Sequence, residues 1–152
     1  FSVEMQPILH KVAGKNELGA FIGWHSAPEN DPRRLTPYLA IRLDKTGGFF
    51  HVEGIYQTKP QKEGEGGVGG RISLGQLALT RPGPWHALRI RAVGKQVTIT
   101  ADDGDPLEFD LPKLRAQKQI FENLNPRGAL GVWTNGDAMF RNAQIVALPA
   151  EK

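Results

Sequence analysis

Two neighbouring segments of the sequence fit together as the arms of a β-hairpin. Residues 85–93 and 96–101 flank Gly94-Lys95, and a two-residue loop with glycine first is typical of a type II′ turn. That loop pairs apolar residues on one face: Ala92 with Val97, Ile90 with Ile99 and Leu88 with Ala101. It places arginines opposite threonines on the other face: Arg89 with Thr100 and Arg91 with Thr98. Because one register sorts both faces, the segment predicts an antiparallel sheet with one buried side.

The rest of the chain repeats this pattern of short apolar runs separated by turns. The 18 glycines and 11 prolines fall mostly between the runs, and a helical bundle would not tolerate so many breakers. Residues 128–134 and 137–148 flank Asn135-Gly136, a strong hairpin signal, and residues 112–123 are the one helical candidate. The pattern predicts a single all-β domain over residues 1–152. We expect a two-sheet antiparallel β-sandwich of the jelly-roll type, with about ten to twelve strands and at most one short helix near 112–123.

Composition and charge argue against several classes of protein. The net charge is +3 and the basic residues are spread along the chain, with Arg33-Arg34 the only basic doublet, so we do not expect nucleic-acid binding. The absence of cysteine removes disulfides, zinc–thiolate sites and cysteine nucleophiles. No apolar run approaches the roughly 18 residues of a membrane span. The sequence starts at Phe1 rather than Met and runs straight into a strand-like pattern, so we expect a processed protein or an excised piece from which any signal peptide has been removed.

Two stretches in the second half of the chain carry a resemblance to a known superfamily. Residues 85–99 follow the pattern W-h-x-l-r-i-x-v-x-G-x-x-v-x-i, and residues 128–142 follow G-x-l-G-l-w-t-x-x-x-a-x-F-x-N. Together they resemble concanavalin A-like lectin/glucanase domains, and within that superfamily the laminin-G-like and 3-keto-disaccharide-hydrolase-like bacterial domains. The resemblance covers residues 85–148 well and the first half of the chain only in outline.

The resemblance implies a jelly roll whose concave sheet binds saccharides, in a secreted or periplasmic bacterial protein. The chain departs from the family in two ways. The Glu-x-Asp-x-x-Glu signature of the related glucanases is absent, and Phe1 begins what resembles the second or third strand of such a domain. A first strand that is missing, or that comes from elsewhere, would leave an open sheet edge, and an open edge favours a homodimer.

A second hairpin, across Asp44–Gly48, carries the most informative candidate site. A four-residue loop pairs Leu43 with Phe50 and Ile41 with Val52, which makes one face apolar. The opposite face gathers five side chains: Tyr38, Ala40, Arg42, His51 and Glu53. A saccharide site needs flat apolar surface and planar polar groups, so we expect a saccharide or similar polar small ligand to bind here. The alternative is a solvated face with a cross-strand ion pair.

Trp24 and His25 are the other candidate ligand contacts. They end a predicted central strand and open a proline-rich loop, and Gly19 and Gly23 leave room beside that strand for a ligand or a close-packed sheet. Trp24 is a candidate stacking platform, with burial in the core as the alternative. The other two tryptophans lie within the family-like motifs and are expected to be structural: Trp85 and Trp133.

Metal and acid–base candidates are few. Asp102, Asp103 and Asp105 carry oxygens that suit calcium, but a complete calcium loop is absent, and polar turn residues are the other interpretation. The four histidines lack metal-ligand spacing, so no resident metal and no other cofactor is expected. Besides the loop carboxylates, the candidates for a general acid or base are Glu4, His51 and Glu53.

Three functions remain open at this point. The leading hypothesis is a non-catalytic module of a larger secreted bacterial protein that binds a carbohydrate or another small polar ligand. The second is a glycoside hydrolase acting on modified disaccharides, with Glu53 or His51 as acid or base. The third is a structural or adhesion module without a small-molecule ligand. Turnover of a disaccharide panel separates the first two, and aromatic side chains on the concave face separate the first from the third.

Overall fold

The computed structural model describes residues 1–7, 17–24, 37–44, 48–57, 69–118 and 121–147. Within these ranges the elements are β1 (Ser2–Pro7), β2 (Glu17–Trp24), β3 (Tyr38–Asp44), β4 (Phe49–Gln57), β5 (Gly69–Ala78), β6 (His86–Val93), β7 (Gln96–Ala101), β8 (Leu107–Asp110), α1 (Leu111–Gln117), β9 (Ala129–Asn135) and β10 (Ala138–Gln144). The first sheet has the antiparallel order β10-β1-β6-β7-β8, and the second has the order β5-β4-β3-β2-β9. The predicted all-β sandwich of two antiparallel sheets is confirmed.

Apolar side chains from the two sheets meet between them and form the core. Strand β1 shows the underlying alternation, because Val3 and Met5 are buried whereas Ser2 and Glu4 are not. The largest fully buried side chains include Phe50, Phe121, Met5, Leu18, Leu39 and Ile41. Full burial of one such side chain contributes about 1.5–3 kcal/mol, and a one-residue slip of a strand would expose several at once. The core therefore fixes the register of every strand that contributes to it.

Both hairpin registers derived from the sequence are present. Strand β6 pairs with β7 so that Ile90 lies opposite Ile99 and Arg91 opposite Thr98. Strand β3 pairs with β4 so that Ile41 lies opposite Val52, with Arg42 opposite His51 on the outer face. In each pair the apolar partners face the core, so the alternation identified the correct register in both places.

The predicted hairpin at Asn135-Gly136 is wrong, although a turn does lie there. Strand β9 pairs with β2 in the second sheet, and β10 pairs with β1 in the first, so the turn carries the chain from one sheet to the other. Gly136 has a φ of +112°, and its carbonyl accepts a hydrogen bond of 2.8 Å from the Thr134 hydroxyl. A turn motif specifies the reversal of the chain, but the edges left by β1 and β2 decide which strands pair.

Strand β1 lies inside its sheet, with β10 on one side and β6 on the other. The strands with one described neighbour are β10 and β8 in the first sheet and β5 and β9 in the second. The edge that an absent first strand would leave is therefore not beside β1. The homodimer through an open sheet edge stays a prediction.

The short helix near residues 112–123 is confirmed as α1, which starts at Leu111 and ends at Gln117. Asp110 caps it by accepting a hydrogen bond of 3.0 Å from the Lys113 N–H. Leu111 and Leu114 are buried against the core. In the described part of the chain no helix is long and apolar enough to cross a membrane.

A fully buried carboxylate joins three segments at one end of the first sheet. The Asp102 side chain accepts hydrogen bonds from the backbone N–H groups of Ala87 at 2.8 Å, Arg81 at 3.0 Å and Thr80 at 3.1 Å. His86 Nδ1 lies 3.1 Å from the same carboxylate. Burial by itself would raise the pKa of Asp102, but the hydrogen bonds from Ala87, Arg81 and His86 outweigh it and lower the pKa.

The acidic turn around Gly104 therefore contains carboxylates in different settings. Asp102 points inward with a φ of +48°, and both of its oxygens face hydrogen-bond donors of the protein, whereas Asp103 and Asp105 are exposed. No three His, Asp or Glu side chains among the described residues come together as a metal site. Calcium binding at this turn stays a prediction.

We expect Asp102→Asn to lower the free energy of unfolding at neutral pH by about 2–4 kcal/mol, because the amide NH₂ would face backbone N–H groups that need an acceptor. Asparagine tolerates a positive φ, so backbone strain does not contribute. Because the folded pKa is lowered, the stabilisation by Asp102 is present above the unfolded pKa of about 3.9 and is lost as the pH falls through the folded value. Urea unfolding at several pH values measures both effects.

The control for this experiment is Asp103→Asn, the same change at the exposed neighbour in the same turn. We expect it to alter the free energy of unfolding by less than about 0.5 kcal/mol. If the difference between the wild type and Asp102→Asn stays constant down to acid pH, the stabilisation does not come from the charge of Asp102.

Candidate functional site

An open groove of about 620 Å³ lies on the outer face of the second sheet. Aromatic side chains from four strands line it: Phe21 and Trp24 of β2, Tyr38 of β3, Tyr56 of β4 and Trp133 of β9. The other described lining residues are Ala40, Glu53, Ile55, Gly69, Gly70 and Arg71. We call this site the aromatic groove. It combines five aromatic rings with one carboxylate and one guanidinium.

Trp24 reaches the groove because the alternation of β2 breaks at Gly23. Leu18, Ala20 and Ile22 point into the core, and strict alternation would send Trp24 the same way. Instead, Gly23 has a φ of +90°, and the pairing of β2 with β9 shifts register between Ile22 and Trp24. Trp24 is 45% exposed, so the alternative in which it is buried in the core is wrong. A glycine inside a strand often marks such an irregularity.

Glycines on neighbouring strands make room for two of the rings. A Cβ atom on Gly131 would lie 2.9 Å from the ring of Phe21, and one on Gly70 would overlap the ring of Tyr56. The Phe21 ring also meets Tyr38 edge-on, with 6.3 Å between the ring centroids and an angle of 76° between the ring planes. These contacts hold the rings in place, as aromatic residues do over glycines in other sheets.

Four charged residues at the groove form a set that we call the charge cluster: Glu17, Arg42, Glu53 and Arg71. Arg42 Nη2 lies 3.4 Å from Glu53 Oε1, and Arg71 Nη1 lies 3.7 Å from Glu53 Oε2 and 4.0 Å from Glu17 Oε1. The Nε of Arg42 is buried and has no hydrogen-bond partner within the described ranges. Burial raises the pKa of the Tyr38 hydroxyl, and the positive charge of Arg71 partly offsets that rise.

His51 lies on the same sheet face between two polar neighbours. Its Nε2 is 3.3 Å from Asp44 Oδ2, and its Nδ1 is 3.2 Å from the Nε2 of Gln76. The Asp44 carboxylate and the Gln76 amide thus lie within hydrogen-bond distance of opposite sides of the ring. Both ring nitrogens are therefore engaged by protein groups.

The residues predicted for the site are thus only partly brought together. Tyr38, Glu53 and Trp24 line the aromatic groove. Arg42 and His51 share its sheet face but do not line it, although Arg42 contacts Glu53. His25 lies outside the described residues.

Sequence reasoning missed four of the aromatic and charged lining residues, which are Phe21, Tyr56, Arg71 and Trp133. Trp133 lies opposite Gly19 in the β2–β9 pairing, and Tyr56 lies opposite Gly70 in the β4–β5 pairing. The glycines were the available signal, because a strand glycine often marks the close approach of another group. The partner of Gly19, however, comes from a strand that is distant in the sequence, and the partner of Gly70 depends on the register between β4 and β5.

A second groove of about 790 Å³ opens where both sheets meet the segment after β10. It includes none of the predicted site residues, and its described lining holds no tryptophan, tyrosine or carboxylate; Phe1, Ile22, Leu130 and the exposed Ile145 and Val146 are among its members. The concentration of aromatic and paired polar groups makes the aromatic groove the better candidate for a polar ligand.

Compared with known proteins, the chain matches no family model, and no curated protein or solved structure matches it significantly. The resemblance of residues 85–148 to concanavalin A-like domains therefore stays a prediction. Architecture alone does not specify an activity, because many unrelated functions share one fold. Function has to be inferred from the chemistry of the groove.

We expect Trp24→Phe to remove most of the tryptophan fluorescence that acrylamide quenches, because Trp24 is exposed whereas Trp85 and Trp133 are partly buried. Stern–Volmer titration of the folded protein measures the accessible fraction. The control is Trp85→Phe, since Trp85 lies away from the groove with Arg141 stacked 4.0 Å from its ring centroid. Equal quenching of Trp24→Phe and the wild type would contradict the outward position of Trp24.

Proposed function

We propose that the protein binds a carbohydrate in the aromatic groove and does so as a binding module. The observation that carries the proposal is the outward turn of Trp24 at Gly23, which adds an exposed indole to a groove that also holds Trp133 and Tyr38. An exposed large aromatic side chain loses favourable burial, so a groove that gathers several of them is typical of a ligand site.

The chemistry of the groove suits a sugar ring. The C–H face of a pyranose is apolar and flat and packs against an aromatic face, while its hydroxyl groups need donors and acceptors in fixed directions. Glu53 supplies an acceptor, Arg71 supplies donors, and the Tyr38 hydroxyl does both. The salt bridge between Glu53 and Arg71 holds both groups before a ligand arrives, which reduces the entropy that binding costs.

The same proposal places the module outside the cytoplasm, in a larger bacterial protein. This part rests only on the resemblance of residues 85–99 and 128–142 to concanavalin A-like domains. The carbohydrate part rests on the groove and is testable without it.

We expect Trp24→Ala to weaken the binding of an oligosaccharide at least about tenfold, because stacking on an exposed indole is worth more than about 1.4 kcal/mol. Isothermal titration calorimetry with a panel of oligosaccharides, covering several sugars and linkages, measures the affinity. Trp133→Ala should weaken the same ligand, since Trp133 lines the same groove.

The matched control is Phe49→Ala. Phe49 is 37% exposed at the start of β4 in the same sheet but does not line the groove, so its loss should leave the affinity unchanged. Far-ultraviolet circular dichroism checks that every variant is folded. The proposal fails if no oligosaccharide binds the wild type, or if Phe49→Ala weakens binding as much as Trp24→Ala. Release of reducing sugar in the same mixtures would identify a hydrolase instead.

A further inference from the structure

We infer that the aromatic groove selects uncharged saccharides and discriminates against acidic ones, with Glu17 as a specificity-determining residue outside the groove. The inference rests on the proposed function and adds the class of ligand. It comes from the charge cluster, in which each of the four charged groups, all within the described ranges, faces a partner of opposite sign.

Two members of the charge cluster each lie between two groups of opposite charge. Glu53 lies between two guanidinium groups, with one carboxylate oxygen towards Arg42 and the other towards Arg71. Arg71 in turn lies between two carboxylates, because the same Nη1 atom is 3.7 Å from Glu53 and 4.0 Å from Glu17. Two positive and two negative groups therefore form one connected set without net charge.

This arrangement determines what an incoming ligand meets. The guanidinium that lines the groove belongs to Arg71, and two carboxylates already occupy its surroundings. A uronate or sulfate would have to approach those carboxylates or displace one from Arg71, and like charges at short range repel. An uncharged hydroxyl group meets no such penalty and accepts or donates a hydrogen bond at the edge of the cluster.

The charge cluster has no net charge, whereas the whole chain is positively charged. The protein has a net charge of +3, and a positive protein attracts anionic ligands over long range. At physiological salt such attraction is screened beyond about 8 Å, whereas each group of the cluster lies within 4.0 Å of a partner of opposite charge. The immediate partners of Arg71 therefore outweigh the net charge.

Substitution of Glu17 tests how the charge cluster affects ligand choice. It contacts Arg71 from β2 but is not one of the residues that line the groove. Glu17→Gln removes one negative charge and leaves the lining side chains in place. The variant should therefore gain affinity for acidic saccharides relative to neutral ones.

The experiment compares neutral tetrasaccharides with size-matched tetrasaccharides that contain uronic acids, by calorimetry at low and at high salt. We expect the wild type to prefer the neutral ligands, with an affinity that changes little with salt. In Glu17→Gln the ratio of the affinity for acidic ligands to the affinity for neutral ligands should rise about three- to fivefold at low salt. A change of this size matches the free energy of one exposed ion pair. The increase should vanish at high salt, because salt screens the charges.

The matched control is Glu108→Gln, which changes the net charge equally on the exposed part of β8 in the other sheet. We expect its affinity ratio to equal that of the wild type. The inference is overturned if the wild type prefers the acidic ligands, or if Glu17→Gln and Glu108→Gln raise the ratio equally. Both results leave carbohydrate binding intact. Failure of every oligosaccharide of either class to bind would instead overturn the proposed function.

Discussion

The burial of one face of each sheet against the other is the constraint on which the rest of the structure depends. Since side chains alternate along a strand, the residues between the buried positions must point outward. Ile41 and Val52 meet in the core, and for that reason Arg42 and His51 lie opposite each other outside. The outer face of the second sheet is thus a consequence of how its inner face packs.

The candidate site arises where that alternation is interrupted. Gly23 turns Trp24 from the core side to the outside, and the pairing of β4 with β5 shifts between Val52 and Glu53. Irregular positions of this kind redirect side chains and occur often beside functional sites. The groove therefore depends on a regular core for its position and on local irregularity for its most exposed ring.

Local pairing of charges matters more at this site than the overall charge of the chain. Glu4 shows the same behaviour in the first sheet, where Arg81 and Arg141 both lie 2.8 Å from its carboxylate. The hydrogen bonds from Arg141 and Asn142 lead the effects that lower the pKa of Glu4, with Arg81 adding to them. Carboxylates on both sheets thus hold guanidinium groups from different segments of the chain, and the net positive charge of the sequence does not describe the charge balance at either place.

The sequence alone was sufficient for the fold class, for the short helix and for the two hairpins at Gly94-Lys95 and Asp44–Gly48. In these elements the interacting residues are close in the chain, and the alternation of side chains specifies both the face and the register. It was also sufficient to place Tyr38 and Glu53 on one outward face. Local periodicity contains that much information because it reports which side of a strand is buried.

The tertiary structure was needed for the pairing partners and therefore for the groove. Asn135-Gly136 has the sequence of a hairpin turn, yet it joins two sheets because β9 and β10 complete edges that β2 and β1 offer. Trp133 enters the site through a pairing of the same long-range kind, Tyr56 and Arg71 enter it through the pairing of β4 with β5, and the buried Asp102 accepts hydrogen bonds from Thr80 and Arg81, which lie outside the β6–β7 hairpin. The physical reason is that edge pairing and burial depend on the whole chain at once, whereas a turn motif or an alternating run depends only on its neighbours.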